Sequence, residues 1–257
     1  KAAGVEAMKI GSTSVAMSDV DGDGDLDIYV ANYGETSVLR SGGSVSVRTI
    51  NGKQVVTGQY ANRIRIMGGE MVEVGEPDFL YINDGGGIFT KVNWTDGNWL
   101  DENGEPIKKE FWDLGLSVMI RDVNQDGRPD IYVCNDFQTP DRFWINLGDG
   151  KFRLIGEMAL RHRSYFAMAV DFADINRDGH DDFFVADMMS PTHLLEMTQV
   201  MITNPLAKPI DELIDRPIIH RNTLLVNRGD NSYMDTANFS GVAATEWTWG
   251  ATFLDVD

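Results

Sequence analysis

Acidic side chains recur at fixed positions in three short segments of the chain. The segments are SDVDGDGDLDIYVAN (18–32), RDVNQDGRPDIYVCN (121–135) and ADINRDGHDDFFVAD (173–187), and they share the form D-[VI]-[DN]-x-D-G-x-x-D. Asp or Asn at positions 1, 3, 5 and 9 places hard oxygen ligands on one side of a tight turn, and Gly at position 6 permits the bend. Such a turn can surround Ca²⁺, which takes about 6–8 oxygen ligands at roughly 2.3–2.6 Å.

Each nonapeptide predicts its own ligand set, with four side chains and the backbone carbonyl of position 7. The predicted ligands are Asp19, Asp21, Asp23, Asp27 and the Asp25 carbonyl in loop one; Asp122, Asn124, Asp126, Asp130 and the Arg128 carbonyl in loop two; and Asp174, Asn176, Asp178, Asp182 and the His180 carbonyl in loop three. Asp255 and Asp257 begin a fourth loop. Because every ligand is an oxygen atom, zinc and copper are disfavoured. We therefore expect about one Ca²⁺ per complete loop, three in this chain.

Two other structures share part of this pattern, the EF-hand and the metal-free acidic β-turn. An EF-hand also has the D-x-D-x-D-G pattern, but it requires a bidentate Glu at position 12 and flanking helices. Position 12 is Val30, Val133 and Val185 in the three copies, which excludes the EF-hand. The second alternative is an acidic β-turn without metal. Its threefold repetition argues against it, because clustered carboxylates repel one another when no cation is bound.

A second signature follows each loop and indicates the elements that position it. FLYINDGGGIF (79–89), FWINLGDGKF (143–152) and LLVNRGDNSY (224–233) share N-x-G-x-[GN]-x-[FY], which we call the Asn-Gly signature. A β-rich run leads into each loop, a strand such as DIYV leaves it, and the Asn-Gly signature supplies two more strands joined by a turn. Four short antiparallel strands in a unit of roughly 50 residues predict an all-β fold, a β-propeller of four-stranded blades.

The spacing of the repeats predicts where the blades and their inserts lie. We treat 1–257 as a partial propeller, with three blades and the start of a fourth. The first predicted blade is 11–95, with inserts 41–78 and 96–113. The second is 115–160, the third is 165–240 with insert 188–220, and the next blade starts at 246–257. Asn51-Gly52 predicts a hairpin in the first insert. THLLEMTQVMI predicts a helix in the last insert, and 96–113 is expected to be a loop. Since the fourth loop is cut off at Asp257, we expect the chain to be part of a longer protein.

The two signatures together resemble the FG-GAP/VCBS repeat of integrin-α-like β-propellers. The segment GVAATEWTWGATFLDVD (241–257) is more specifically similar to the UnbV-associated bacterial and cartilage-acidic-protein-like group. The resemblance implies a ring, often of seven blades, with calcium between the first two strands of a blade. It also implies an extracellular, cell-surface or periplasmic protein that acts in adhesion or ligand binding. The long inserts depart from the compact repeat of the family.

The composition narrows the classes of partner. Asp+Glu 40 against Lys+Arg 22 gives a formal net charge of −18, which argues against nucleic acid and against an anionic membrane surface. No segment is apolar enough over roughly 18 residues to span a bilayer. Cys134 is the only cysteine, so the chain has no internal disulfide, and we expect Cys134 to be buried.

We expect a non-catalytic, calcium-binding scaffold whose partner is a protein or carbohydrate at the cell surface. One alternative is a polysaccharide lyase or hydrolase on a propeller scaffold, and another is an architectural module of a surface assembly. No Ser or Cys nucleophile is paired with His in a familiar motif. Trp247 and Trp249 are expected to fill a gap between blades, and Trp94, Trp99 and Trp112 offer an exposed aromatic patch as an alternative to burial.

Overall fold

A computed structural model describes residues 11–34, 37–38, 44–67, 70–137, 139–199 and 217–256. Its strands in chain order are β1 (Ser12–Ser18), β2 (Asp27–Asn32), β3 (Ser46–Ile50), β4 (Lys53–Thr57), β5 (Ile64–Met67), β6 (Glu70–Glu73), β7 (Phe79–Asn83), β8 (Phe89–Lys91), β9 (Trp99–Leu100), β10 (Gly115–Arg121), β11 (Asp130–Asn135), β12 (Arg142–Gly148), β13 (Lys151–Leu154), β14 (Arg163–Ser164), β15 (Ala169–Ala173), β16 (Asp182–Ala186), β17 (Ile218–Ile219), β18 (Thr223–Asn227) and β19 (Tyr233–Asp235). One α-helix, α1 (His193–Gln199), and one 3₁₀ turn, Ala61–Arg63, accompany them.

The repeat consists of three sets of four antiparallel strands, each hydrogen-bonded in chain order. Their strand orders are β1-β2-β7-β8, β10-β11-β12-β13 and β15-β16-β18-β19. The registers repeat as well, since Val30 pairs with Phe79, Val133 with Arg142 and Val185 with Thr223. The all-β fold of propeller-type blades predicted from the sequence is therefore confirmed. The sheets lie within the ranges predicted for the blades, whose boundaries stay predictions.

Neighbouring blades contact each other through their first two strands. The first strands follow one another, with β1 against β10 and β10 against β15. Every residue of β11 is buried, as expected for a strand between two neighbours. Cys134 in this strand is fully buried, as predicted.

Two aromatic clusters fill the spaces between the blades. Blades one and two enclose Trp94, Trp99, Phe111, Trp144 and Phe152, with Trp99 stacked on Phe152 at a centroid distance of 4.9 Å. The second cluster, between blades two and three, contains Tyr132, Phe143, Phe172, Phe183 and Tyr233. Such rings bury large apolar areas and prefer tilted or edge-on contacts, which hold neighbouring blades at a defined angle.

For the tryptophans, the structure decides between two open alternatives in one case and shows that an expectation is wrong in the other. Trp94 and Trp99 belong to the core, so the exposed aromatic patch does not form, and Trp112 is half-buried. The insert 96–113 is more than a loop, because β9 adds to β13 as a fifth, parallel strand. Trp247 and Trp249, expected in a core, lie in irregular backbone and are 46% and 65% exposed.

The inserts agree with the sequence where they are described. The hairpin β3–β4 turns at Asn51 and Gly52, whose φ values of 50° and 77° fit a type I′ turn. The helix α1 covers the described part of the predicted helix, and residues 200–216 lie outside the described residues. In the described part of the chain, no helix has the length and apolarity needed to cross a membrane.

Candidate metal centre

The three acidic loops join the first and second strands of each blade and have the same internal hydrogen bonds. In loop two the Asp122 carboxylate accepts the N–H groups of Asp126 (3.1 Å) and Gly127 (2.9 Å). Asn124 Oδ1 also accepts the Asp126 N–H, at 3.0 Å, and Asp126 Oδ1 accepts the Arg128 N–H at 3.0 Å. The first, third and fifth side chains thus turn inward around a curved backbone.

Loops one and three repeat this network at the equivalent positions. The Asp19 carboxylate accepts the N–H groups of Asp23 and Gly24, at 3.1 and 3.0 Å. The Asp174 carboxylate accepts those of Asp178 and Gly179, at 3.0 and 2.8 Å. Three copies with the same turn show that the sequence pattern fixes the loop conformation.

The backbone of each loop passes twice through the left-handed region. Position 6 is Gly24, Gly127 and Gly179, with φ between 83° and 95°. Position 4 is Gly22, Gln125 and Arg177, with φ between 60° and 81°. Side chains other than Gly are rare at such φ values, so the loop accepts some local strain at position 4 in two of its copies.

The carboxylate at position 9 connects each loop to the third strand. Asp27 accepts the N–H of Val20 at 2.8 Å and the N–H of Asn83 at 2.9 Å. Asp130 accepts those of Val123 and Asn146, at 3.2 and 2.7 Å. Asp182 repeats the arrangement with Ile175 and Asn227, at 3.1 and 2.8 Å. All three carboxylates are buried, which makes them structural residues as well as candidate ligands.

The Asn of the Asn-Gly signature completes this connection, a role that sequence reasoning missed. Asn146 Nδ2 donates to the Pro129 carbonyl of its own loop at 3.1 Å and to the Val20 carbonyl of loop one at 2.7 Å. Its Oδ1 accepts the Gly148 N–H at 2.9 Å. The recurrence of Asn in all three signatures was the available signal.

The first Gly of the signature lies against the side chain at position 7. A Cβ on Gly148 would lie 3.3 Å from Arg128 Cδ, and a Cβ on Gly229 would lie 3.1 Å from His180 Nε2. A Cβ on Gly85 would lie closer still, 2.5 Å from a carboxylate oxygen of Asp25. These glycines also have φ values of 74–81°, so both space and backbone conformation favour Gly.

Loop one brings three carboxylates to the spacing of a metal site. One oxygen each from Asp19, Asp21 and Asp27 lie within 4.8 Å of one another. Two ligands of one calcium ion, each at roughly 2.3–2.6 Å, can be at most about 5 Å apart, so this spacing fits Ca²⁺. Asp23, the fourth predicted side-chain ligand, lies in the same turn but outside this group.

Loops two and three differ from loop one in what faces the carboxylate at position 5. Arg128 Nη2 forms an ion pair with Asp126 Oδ2. In loop three, Asn176 Nδ2 donates to Asp178 Oδ2 at 2.9 Å. Among the residues of the fourth copy, Asp255 is exposed and lies outside any strand, and Asp257 lies outside the described residues.

Burial perturbs the position 9 carboxylates. Burial raises the pKa of Asp130 to about 7, although the Asn146 and Val123 N–H groups lower it and the nearby Asp126 and Asp122 raise it. Burial likewise raises the pKa of Asp27 and of Asp182. A divalent cation would favour the ionised form of these groups.

The loops of blades two and three contact each other directly. The Arg121 guanidinium donates two hydrogen bonds to Asp181, the residue before the position 9 carboxylate of loop three. Gln125 Nε2 donates to the Gly179 carbonyl. The two loops are therefore joined through side chains that the loop motif itself does not specify.

Comparison with known proteins matches two stretches that contain the loops. The FG-GAP repeat family matches residues 12–47, and the FG-GAP-like repeat family matches 122–185. Cartilage acidic protein 1 of Xenopus tropicalis is 26% identical over 161 residues, which are 57% of this chain and 25% of that protein. The chain thus spans a quarter of the length of that relative.

A solved structure also aligns with the chain. It is that of an Agrocybe aegerita lectin that recognises non-reducing terminal N-acetylglucosamine, with 17% identity. The alignment covers 86% of this chain and 50% of the lectin chain, with a TM-score of 0.31. At this TM-score the superposition supports no argument about the chain.

Proposed function

Because the chain carries FG-GAP repeats, we propose that it is a calcium-stabilised section of a β-propeller that presents a ligand-binding surface outside the cell. The ligand is a protein or a carbohydrate, and the chain acts as a scaffold without catalysing a reaction. The structure of the loops supports the calcium part of this proposal, and the repeat family supports the scaffold part.

The observation that carries the proposal is the grouping of Asp19, Asp21 and Asp27 within 4.8 Å of one another. These three carboxylates come from both ends of one turn, and the same turn occurs in loops two and three. Side-chain oxygens at positions 1, 3, 5 and 9 and the carbonyl at position 7 would hold the ion in each loop. Oxygen donors without His or Cys match a hard cation.

A bound calcium ion would supply positive charge among the clustered carboxylates of each loop. Like charges at this spacing destabilise the folded state, and a divalent cation removes that repulsion. Because Asp27 also accepts the Asn83 N–H, the bound loop would stabilise the junction of the first three strands of blade one. Binding to the folded state alone adds about 2.7 kcal/mol per site when free calcium is 100 times Kd.

An extracellular location follows from the same chemistry. Extracellular modules bind calcium with Kd values of roughly 10⁻⁴–10⁻³ M, and we place these loops in that class. Calcium in the cytosol is too low to occupy such sites, whereas calcium outside the cell is sufficient. The inserts and the connections between blades would then present the surface for the ligand.

The test is thermal unfolding of the calcium-loaded chain with and without chelator. We expect chelation to lower the Tm by several degrees, and we expect Ca²⁺ to restore it far better than Mg²⁺ does. Asp21→Ala should remove part of the calcium-dependent increase. Asp96→Ala is the matched control, because Asp96 also accepts one nearby N–H in an exposed turn but lies outside the loops. An unchanged Tm after chelation would contradict the proposal.

A further inference from the structure

One segment of this acidic chain contains no acidic residue. Residues 36–69 hold five of the Lys and Arg residues and none of the 40 Asp and Glu residues. The five cations are Arg40, Arg48, Lys53, Arg63 and Arg65. The segment therefore has a formal charge of +5 in a chain whose formal net charge is −18, and segments of one charge are a frequent mark of an interaction surface.

Two of these cations hold the base of the insert in place. Arg63 is buried, donates to the Val74 carbonyl at 2.8 Å and forms ion pairs with Glu73 and Glu76 at 3.3 and 3.1 Å. Arg65 donates to the Asn62 carbonyl at 2.6 Å and lies over the Trp112 ring, 6.0 Å from its centroid. These two side chains are therefore structural.

The other two described cations lie on the hairpin formed by β3 and β4, which we call the basic hairpin. In the described residues, neither the Arg48 side chain nor the Lys53 side chain has a hydrogen bond or ion pair. Arg48 pairs with Val55 and Ile50 pairs with Lys53, so all four side chains share one face of the hairpin. Arg48 and Lys53 are diagonal neighbours on this face, a position in which residues are roughly 7–8 Å apart. Ile50 and Val55 are the other diagonal pair.

This face is open to solvent, and no other described strand is hydrogen-bonded to either edge of the basic hairpin. Every residue of β3 is exposed, and Ile50 and Val55 are 49% and 38% exposed. Within the described ranges, β3 and β4 pair only with each other. An isolated two-stranded hairpin is marginally stable, and its free backbone N–H and C=O groups can pair with an added strand.

We propose that the basic hairpin binds an extended acidic segment of a partner protein, which pairs with a free edge as a third strand. Acidic side chains of that segment would pair with Arg48 and Lys53, and its apolar side chains would cover Ile50 and Val55. A peptide strand uses all three properties of the hairpin: its charge, its apolar residues and its free edge. An acidic polysaccharide would use the charge alone, so we favour the peptide.

This inference specifies the partner of the proposed scaffold, and it is independent of calcium. Loss of peptide binding with a preserved calcium effect on Tm would overturn the inference alone. Loss of the calcium effect with preserved peptide binding would overturn the calcium proposal alone.

The experiment measures binding of a fluorescent peptide of about ten alternating Glu and Val residues to the 257-residue chain. Fluorescence anisotropy in low salt should give saturable binding that weakens as salt is added. Reversing both charges, in Arg48→Glu with Lys53→Glu, should weaken binding by about tenfold or more. Both side chains are exposed, so the Tm of the double variant should match that of the unaltered chain.

Two controls separate a specific site from general charge. Lys108→Glu with Lys109→Glu makes the same charge change at exposed residues outside the hairpin, and it should leave the affinity within about twofold. The same peptide N-methylated at alternate residues cannot pair as a strand, so it should bind at least about tenfold more weakly.

Four results would overturn the inference. The first is the absence of peptide binding, and the second is equal weakening by the Lys108 and Lys109 reversals. The third is equal binding of the N-methylated peptide, and the fourth is stronger binding of a heparin octasaccharide that requires Arg48 and Lys53. The third and fourth results would show that charge alone is recognised.

Discussion

The Tyr29 hydroxyl donates a hydrogen bond of 3.0 Å to Asp78, a carboxylate buried at the end of blade one opposite its acidic loop. Asp78 also accepts the Asn32 N–H at 2.7 Å. Blade two repeats the arrangement, because Tyr132 donates to Asp141 at 2.8 Å and the Asn135 N–H donates at 2.8 Å.

Blade three has different residues at both positions of this Tyr–Asp pair. The position of the Tyr is occupied by Phe184, and the position of the Asp is occupied by Asn222, whose Oδ1 accepts the Asp187 N–H at 2.7 Å. The hydroxyl donor and the carboxyl acceptor are thus lost together. This fits the cost of leaving a buried carboxyl oxygen without a hydrogen-bond donor.

The first prediction is that the two substitutions compensate for each other. Tyr29→Phe should destabilise the chain by about 1–3 kcal/mol, because Asp78 loses its hydroxyl donor in a buried site. Adding Asp78→Asn should recover part of that loss, since an amide oxygen keeps the Asn32 N–H satisfied. Denaturant unfolding of the two single variants and the double variant measures the coupling.

Blade two supplies a parallel cycle with Tyr132→Phe and Asp141→Asn, which should give a coupling of the same sign. Additive effects in both blades would show that the carboxylate does not depend on the hydroxyl.

The second prediction concerns pH. Burial raises the pKa of Asp78 to about 8, although the Asn32 N–H and the Tyr29 hydroxyl lower it. Between about pH 4 and pH 8 the folded state therefore binds more protons at this group than the unfolded state does. The contribution of Asp78 to stability should accordingly fall as the pH rises through this range.

Unfolding free energies measured at several pH values in saturating calcium test this prediction. Asp78→Asn should flatten the slope between about pH 5 and pH 8 relative to the unaltered chain. A slope identical in both proteins would mean that Asp78 titrates normally in the folded state.

The third prediction concerns the contact between the first insert and the segment that leads into blade two. The Gly75 N–H donates to the Trp112 carbonyl at 3.1 Å, and a Cβ on Gly75 would overlap the Asp113 carbonyl oxygen. Gly75→Ala should destabilise by about 1–3 kcal/mol because the obstacle is backbone. Gly156→Ala is the control, since a Cβ there meets no atom within 4 Å. Equal Tm values for the two variants would contradict the close approach.

Repetition explains what the sequence could predict. The loops and the strands beside them occur three times with the same spacing, so local pattern was enough to predict the blades and the acidic turn. Trp99 and Trp247 show where local pattern fails. Trp99 is buried because β9 pairs with β13, where its partner Phe152 lies 53 residues later, and Trp247 is exposed because its segment forms no strand in the described chain. Contacts at such sequence separation leave no periodic signal.

The side chains that distinguish the loops were also beyond prediction. The ion pair of Arg121 with Asp181 joins residues 60 positions apart and depends on the angle between two blades. The pairing of Arg128 with Asp126 is local, but the loop motif specifies only the carbonyl oxygen of position 7 and not its side chain. Its side chain is Asp25 in loop one, Arg128 in loop two and His180 in loop three, which gives each loop a different charge.

The last prediction is that Arg128 weakens calcium binding by loop two. Its guanidinium pairs with a carboxylate that would otherwise bind the ion, so calcium must displace it. Arg128→Met keeps the part of the side chain that lies over Gly148 and removes the charge. Calcium titration by calorimetry should then show loop two binding about two- to fivefold more tightly, because the ion pair is partly exposed and therefore weak. Arg161→Met, which removes an exposed charge from the connection after blade two, should leave all affinities unchanged. An Arg128→Met titration that matches that of the unaltered chain would show that the guanidinium does not compete with the ion.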